Sequence, residues 1–368
     1  MIGDGTPGPA NAITDVPGVR VGHRTLIEGS GPLVVGSGPV RTGVTVILPP
    51  GNVWEQPVFA GPHRLNGNGE MTGLEWVRES GMLTTPIALT NTHSVGVVRD
   101  ALLAEVLAVD PARGSEWSLP VVAETWDGVL NDLNGFHVRR EHVHDAFSTA
   151  AGGPVAEGAV GAGTGMISHG FKGGIGTASR VRPGSEGGHT VGVLVLANHG
   201  QRRRFAVNGA PVGRALDDIP LPGPPGAPGD TMGAGAGSGA GSIIVIVATD
   251  APLLPHQCTR LAQRAGLGVA RLGGMGEHTS GDLFLCFATG NRGMTAGTID
   301  EEAPPHSFRL EMLADAYIDG LFEAVVEATE EAIVNAVIAA KTTEGRDGIV
   351  AHGLPGERLA RALAQATR

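Results

Sequence analysis

Cysteine occurs only twice in 368 residues, at Cys258 and Cys286. Those two alone build neither a disulfide framework nor a zinc motif. Aromatic residues make up 4% of the chain, with a single tyrosine, Tyr317. Charge is sparse at 17%, and the net charge of −11 comes with no long basic block. Nucleic acid is therefore not an expected partner, and Arg202-Arg203-Arg204 is short enough to be a solvated loop. No apolar run reaches about 18 residues without interruption, so no membrane span is expected. The start, Met1-Ile-Gly-Asp-Gly5, has neither a basic region nor an apolar signal segment. These absences predict a soluble, cytoplasmic protein.

Glycine, by contrast, is abundant, with 59 residues, beside a hydrophobic content of 41%. Apolar runs recur throughout, so the glycines predict tight turns and close backbone approaches, not disorder. The length suits one large domain or two ordinary ones. The Pro/Gly-rich loop at residues 218–241 is flanked by strand-like runs of the same character. A single domain over residues 1–368 is expected.

Strand-like runs fall at residues 43–48, 86–92, 119–126, 190–198, 243–249 and 282–288. Several are apolar on both faces, which predicts sheets covered on both sides. Helical spacing predicts helices near residues 74–80, 95–109, 136–150 and 357–366. A long helical stretch is read from Leu310 to about Ala340. Asp250 reads as an N-cap with Pro252 in the first turn of a helix that stops at Gly266. Residues 158–176 read as a second glycine-rich loop.

The stretch Thr231-Met-Gly-Ala-Gly-Ala-Gly-Ser-Gly-Ala-Gly-Ser242 runs straight into Ile243-Ile-Val-Ile-Val-Ala-Thr249. The bond between Gly241 and Ser242 thus lies at the mouth of a buried strand. A cut there would give Ser242 a hydroxyl beside its own α-amine, whose pKa of about 7.7–8.0 makes it a usable base near neutral pH. The serine can make that cut itself, by attacking the Gly241 carbonyl and passing through an ester. Tracts of Gly, Ala and Ser also serve as flexible linkers.

Four more residues carry candidate chemistry. Asn198 ends a long apolar strand, where its amide can donate to an oxyanion; Asn-His-Gly is also an ordinary turn. In extended backbone Ser280 and Asp282 project to one face, with His278, as a hydroxyl-carboxylate pair able to orient a nucleophile or its amine. The same Ser-Gly-Asp also suits a turn leading into a strand. Glu124 follows Val121-Val122-Ala123, where a carboxylate can hold a substrate ammonium or simply meet solvent. His142, His144 and Asp145 lack the rest of a ligand pattern, so no metal is expected. The dinucleotide fingerprint, the P-loop and the Gly-x-Ser-x-Gly elbow are absent, and no cofactor is expected.

Taken together, these motifs resemble the self-processing serine aminopeptidases, the family that includes L-aminopeptidase/D-esterase and the β-peptidyl aminopeptidases. The matching pieces are residues 12–23, 122–128 with Leu130-Asn-Asp132, 193–198, 241–253, 279–282, and 331–335 with 345–348. They cover nearly the whole chain in order. The resemblance implies an α+β fold, a four-layer αββα sandwich similar to N-terminal-nucleophile hydrolases but differently connected. It implies a precursor that cuts itself into an α chain, 1–241, and a β chain, 242–368, which stay associated and assemble into homo-oligomers. By position the nucleophile is Ser242, the oxyanion residue Asn198, the assisting pair Ser280 and Asp282, and the amine-holding residue Glu124. Some members place a tyrosine in the active site; Tyr317 falls in the predicted long helix and does not fit that role.

The expected activity is hydrolysis of amide, peptide or ester bonds next to a free amino terminus, acting on small peptides or aminoacyl amides and esters. Two other readings stay open. One is an acyltransferase of the ornithine acetyltransferase type, although that class usually offers threonine as nucleophile. The other is an uncut, non-enzymatic binding protein whose glycine tract is a linker.

Overall fold

The computed structural model describes residues 2–109, 117–224, 241–295 and 305–366. Ten strands form two sheets. They are β1 (Arg20–Glu28), β2 (Val40–Leu48), β3 (Val58–Arg64), β4 (Met82–Leu83), β5 (Ile87–Asn91), β6 (Val121–Thr125), β7 (Gly174–Val181), β8 (Thr190–Asn198), β9 (Ser242–Thr249) and β10 (Asp282–Ala288). One sheet has the order β1-β2-β5-β6 and the other β4-β3-β10-β9-β8-β7. The helices are α1 (Leu74–Ser80), α2 (Val95–Val109), α3 (Arg140–Ser148), α4 (Pro255–Arg271), α5 (Asp319–Ala339) and α6 (Gly356–Ala366).

Three apolar layers separate four layers of structure. Between the sheets lie Leu194, Leu196, Ile244, Ile246, Leu285 and their neighbours. Outside the six-stranded sheet, Val193, Val195, Val245 and Val247 pack on Leu261 and Ala265 of α4 and on Val325 and Ile333 of α5. Outside the four-stranded sheet, Val44, Val46 and Val122 pack on Leu102 of α2 and Val143 of α3. This is the expected αββα sandwich. Strands β8 and β9 are apolar on both faces because alternate side chains feed two different cores. Cys286 and Cys258 both lie in the helix-side core as free thiols.

The glycines let these layers close. A β-carbon on Gly176 of β7 would sit 1.8 Å from the Ala332 carbonyl of α5. One on Gly22 of β1 would sit 1.9 Å from the Ala146 carbonyl of α3, and one on Gly61 of β3 would sit 2.3 Å from the Thr259 nitrogen of α4. Each of these helices therefore docks on its sheet at a glycine, backbone against backbone.

Several expectations are corrected. The long helix begins at Asp319, not Leu310. Glu311 exchanges two hydrogen bonds with the Asn291 side chain, and Leu313 N–H donates to the Pro252 carbonyl, which holds that stretch out of the helix. Tyr317 is exposed in a short turn before α5. Asp250 is not an N-cap: its carboxylate accepts from Thr190 N–H at 2.7 Å, and α4 starts at Pro255. That helix runs through Gly266 to Arg271, and Gly268 admits Thr329 of α5 at a contact no side chain would allow. Residues 158–176 are not simply a loop: Gly161–Gly165 form a 3-10 turn, Ile167–Ser168 pair with Phe171–Lys172, and β7 starts at Gly174. The glycine tract at 231–240 lies outside the described residues.

Gly176→Ala is expected to destabilise the fold by about 1–3 kcal/mol through overpacking. Gly184→Ala, where a β-carbon meets nothing within 4 Å, serves as the control. Thermal unfolding of the two variants checks this; equal melting temperatures would show that the helix-on-glycine contacts are not tight.

Candidate active site

The two sheets bring their strand ends to one edge. Asn198 ends β8 and Ser242 opens β9, and the antiparallel register pairs them directly. The parallel ladder from β9 to β10 then sets Ile243 opposite Asp282. By alternation, Ser242 shares its face with Ile244 and Ile246, and so points into the layer between the sheets. A β-carbon on Gly241 would meet the Asn198 carbonyl at 1.9 Å, so only glycine fits just before the serine.

Ser242 is 5% exposed. Its Oγ accepts a hydrogen bond from Gly281 N–H at 3.1 Å, which leaves the hydroxyl proton free to be donated. Ser280 Oγ donates to Asp282 Oδ1 at 2.5 Å, the pairing that extended backbone predicts. The same carboxylate oxygen accepts from Ile243 N–H at 3.2 Å, beside the residue that a cut would make terminal. Burial pushes the Asp282 carboxyl above its ordinary value, against the pull of the Ser280 hydrogen bond. His278 is exposed and does not join this face.

The amide of Asn198 is held at both ends. Its Oδ1 accepts from Ile167 N–H at 2.8 Å, and its Nδ2 donates to the Trp126 carbonyl at 2.8 Å. A donor on one side and an acceptor on the other fix which end is oxygen. One N–H of the amide is left over.

Glu124 lies near the end of β6, which meets β9 across the inner layer. It is 3% exposed, and burial raises its carboxyl above the usual value. Glu70 N–H donates to Oε1 at 2.9 Å and the Thr92 hydroxyl to Oε2. A β-carbon on Gly69 would lie 3.2 Å from Glu124 Oε1 and 3.1 Å from the α-carbon of Gly281. Glu124 is thus one glycine away from the segment whose N–H touches Ser242. A cleft of about 480 Å³ opens beside it, lined by Arg64, Glu70, Met71, Trp76 and Leu283 among others.

All five sequence-nominated side chains therefore converge on one edge. Four partners were not foreseen. Asn66, in the local sequence Asn66-Gly-Asn-Gly-Glu70 of a turn, has its Oδ1 accept from Asp282 N–H at 2.6 Å and its Nδ2 donate to Asp282 Oδ2 at 3.2 Å. Thr92, Ile167 and Trp126 likewise reach the site through contacts between segments distant in sequence. No cluster of three or more His, Cys, Asp or Glu side chains suited to a metal occurs among the described residues, and His142 and His144 belong to none.

Next to Asn198, the rings of His199 and His169 are buried in contact, 5.1 Å between centroids. Burial lowers His169 to about 4. The unfolded chain therefore binds more protons between pH 6.5 and about 4, and the fold loses stability as pH falls through that window. His169→Asn suits the positive φ of 51° there. Relative to wild type, this variant is expected to gain about 2 kcal/mol between pH 7.5 and pH 5, read from denaturant unfolding. A constant difference would mean that His169 does not titrate on unfolding.

Residues 11–351 match peptidase family S58. The chain is 48% identical over 358 residues to β-peptidyl aminopeptidase BapA of Sphingosinicella microcystinivorans, covering 96% of this chain and 88% of that one. It is 44% identical over 361 residues to the BapA of Sphingosinicella xenopeptidilytica, covering 98% and 88%. A β-aminopeptidase of Burkholderia sp. superposes with a TM-score of 0.91 at 53% identity, over 100% of this chain and 97% of that one. The L-aminopeptidase D-Ala-esterase/amidase of Ochrobactrum anthropi, described as a variant of the Ntn hydrolase fold, superposes at 0.88 with 42% identity, over 100% and 97%. These relatives favour hydrolysis over acyl transfer, and they set aside the reading as a non-enzymatic binding protein. The chain belongs to peptidase family S58 and is an aminopeptidase.

Proposed function

We propose that the chain cuts itself between Gly241 and Ser242, and that the freed Ser242 is the nucleophile of an N-terminal-nucleophile aminopeptidase. The observation that carries this reading is the convergence of Ser242, Asn198, Ser280 and Asp282 at one sheet edge, behind a position only glycine can fill. Cutting gives chains 1–241 and 242–368. They stay joined because β9 pairs with β8 along all eight of its residues, from Ser242 with Asn198 to Thr249 with Val191. The mature pairs assemble further into homo-oligomers and work in the cytoplasm.

In the mature enzyme the Ser242 hydroxyl gives its proton to its own α-amine and attacks the acyl carbon. Gly281 N–H holds the attacking oxygen, and the free N–H of Asn198 receives the oxyanion. The amine then passes the proton to the leaving group, and water releases the acyl-enzyme. Asp282, itself fixed by the Ser280 hydroxyl, holds the Ile243 N–H next to the new terminus. Glu124 selects the substrate ammonium, which favours the ionised carboxylate that burial alone disfavours.

The substrate class follows the relatives named β-aminopeptidases, so the residue released is a β-amino acid at the amino terminus of a short peptide or amide. Turnover of β-homoamino acid p-nitroanilides against their α-counterparts tests this, and equal kcat/KM would contradict it. Ser242→Ala is expected to abolish both cutting and hydrolysis; a variant that still cuts normally removes Ser242 as the nucleophile. Glu124→Gln is expected to raise KM about 10- to 100-fold for aminoacyl substrates, the worth of a charge-assisted pair, while sparing self-cleavage. Loss of cutting in that variant would give Glu124 a different role.

A further inference from the structure

Two fully buried charged residues, Lys172 and Asp127, take no part in the chemistry above, yet each is joined to Asn198 through one peptide unit. The N–H that holds Asn198 Oδ1 belongs to Ile167, and the carbonyl of that same peptide unit is that of Met166. This carbonyl accepts from Lys172 Nζ at 2.7 Å. The other two Nζ bonds go to the carbonyls of Gly163 at 3.1 Å and Gly173 at 2.8 Å, and Gly173 N–H returns to the Met166 carbonyl at 2.9 Å. On the other side, the Trp126 carbonyl that takes Asn198 Nδ2 shares its peptide unit with the N–H of Asp127. Asn131 Nδ2 donates to the Asp127 carboxylate at 3.1 Å.

A buried ammonium is costly to keep. Burial lowers Lys172 to about 7, and the Asp127 charge only opposes that drop. An apolar side chain of equal length would fill the space without this penalty. Hydrogen bonds in a chain polarise one another in a dry interior. A positive charge on the Met166 carbonyl makes the Ile167 N–H a stronger donor. That donor draws density from the Asn198 amide and strengthens its remaining N–H.

We propose that Lys172 is a positioning residue for catalysis, which orients and polarises the Asn198 amide through the peptide joining Met166 and Ile167. The inference rests on Asn198 receiving the oxyanion.

The test is a double-mutant cycle of Asn198→Ala and Lys172→Met, with kcat and KM for an aminoacyl p-nitroanilide expressed per mole of cut protein. Asn198→Ala is expected to lower kcat about 100- to 1000-fold. Lys172→Met is expected to lower kcat about 10-fold or more, with KM within about 3-fold of wild type. In the Asn198→Ala background the same change is expected to cost less than about 3-fold, because its route is already gone. An equal loss of kcat with and without Asn198 overturns the proposal and leaves Lys172 as structural support. Normal kcat in Asn198→Ala instead overturns the oxyanion reading, and the inference with it.

A second readout does not need cut protein. The side-chain amide protons of Asn198, assigned by their loss in Asn198→Ala, are expected to move upfield in 15N-labelled Lys172→Met; unchanged shifts overturn the relay. Should Lys172→Met not fold, Lys172→Gln combined with Asp127→Asn removes both charges and replaces it in both measurements.

Discussion

The pairing of β8 with β9 is the constraint on which the site depends. Eight residue pairs, Val191 with Thr249 through Asn198 with Ser242, lock two strands whose alternate side chains enter two different cores. A slip of one residue would turn every one of those side chains to the wrong face. The register that buries the valines and isoleucines is therefore the same register that sets Asn198 beside Ser242. The parallel ladder to β10 extends it to Asp282. The geometry of the site is in this sense inherited from the packing of the core.

Backbone contact is the second constraint. Strands β1, β3 and β7 each carry a glycine where an outer helix would otherwise collide. The same economy of space recurs at the site, where Gly241 lies against Asn198 and Gly281 lies against Gly69. The abundance of glycine thus reflects one architecture, in which helices, strands and the bond before Ser242 approach more closely than side chains permit.

Much of this was legible in the sequence. The abrupt change from a glycine tract to Ile243-Ile-Val-Ile-Val marked the start of β9, because a short, β-branched run behind glycines reads as a strand buried on both faces. Asn198, Ser280, Asp282 and Glu124 were legible because each stands at or next to the end of such a run. Asn66, Thr92, Ile167 and Lys172 were not. The first three meet the site through contacts between distant segments, whereas Lys172 bonds only carbonyls close to it in sequence; locally the four look like a turn, a polar strand end, a short apolar piece and a lone cation. The region before α5 misled for a related reason: its spacing favours a helix, but bonds from Asn291 and Pro252 keep it extended.

A self-made amino terminus stands at the centre of the proposed chemistry, so the most direct measurement is the intact mass of freshly purified protein under denaturing conditions. Two species that divide between Gly241 and Ser242 are the predicted result. A single full-length species that stays uncut on prolonged incubation while still hydrolysing aminoacyl substrates would contradict it, because the base of the mechanism would then not exist.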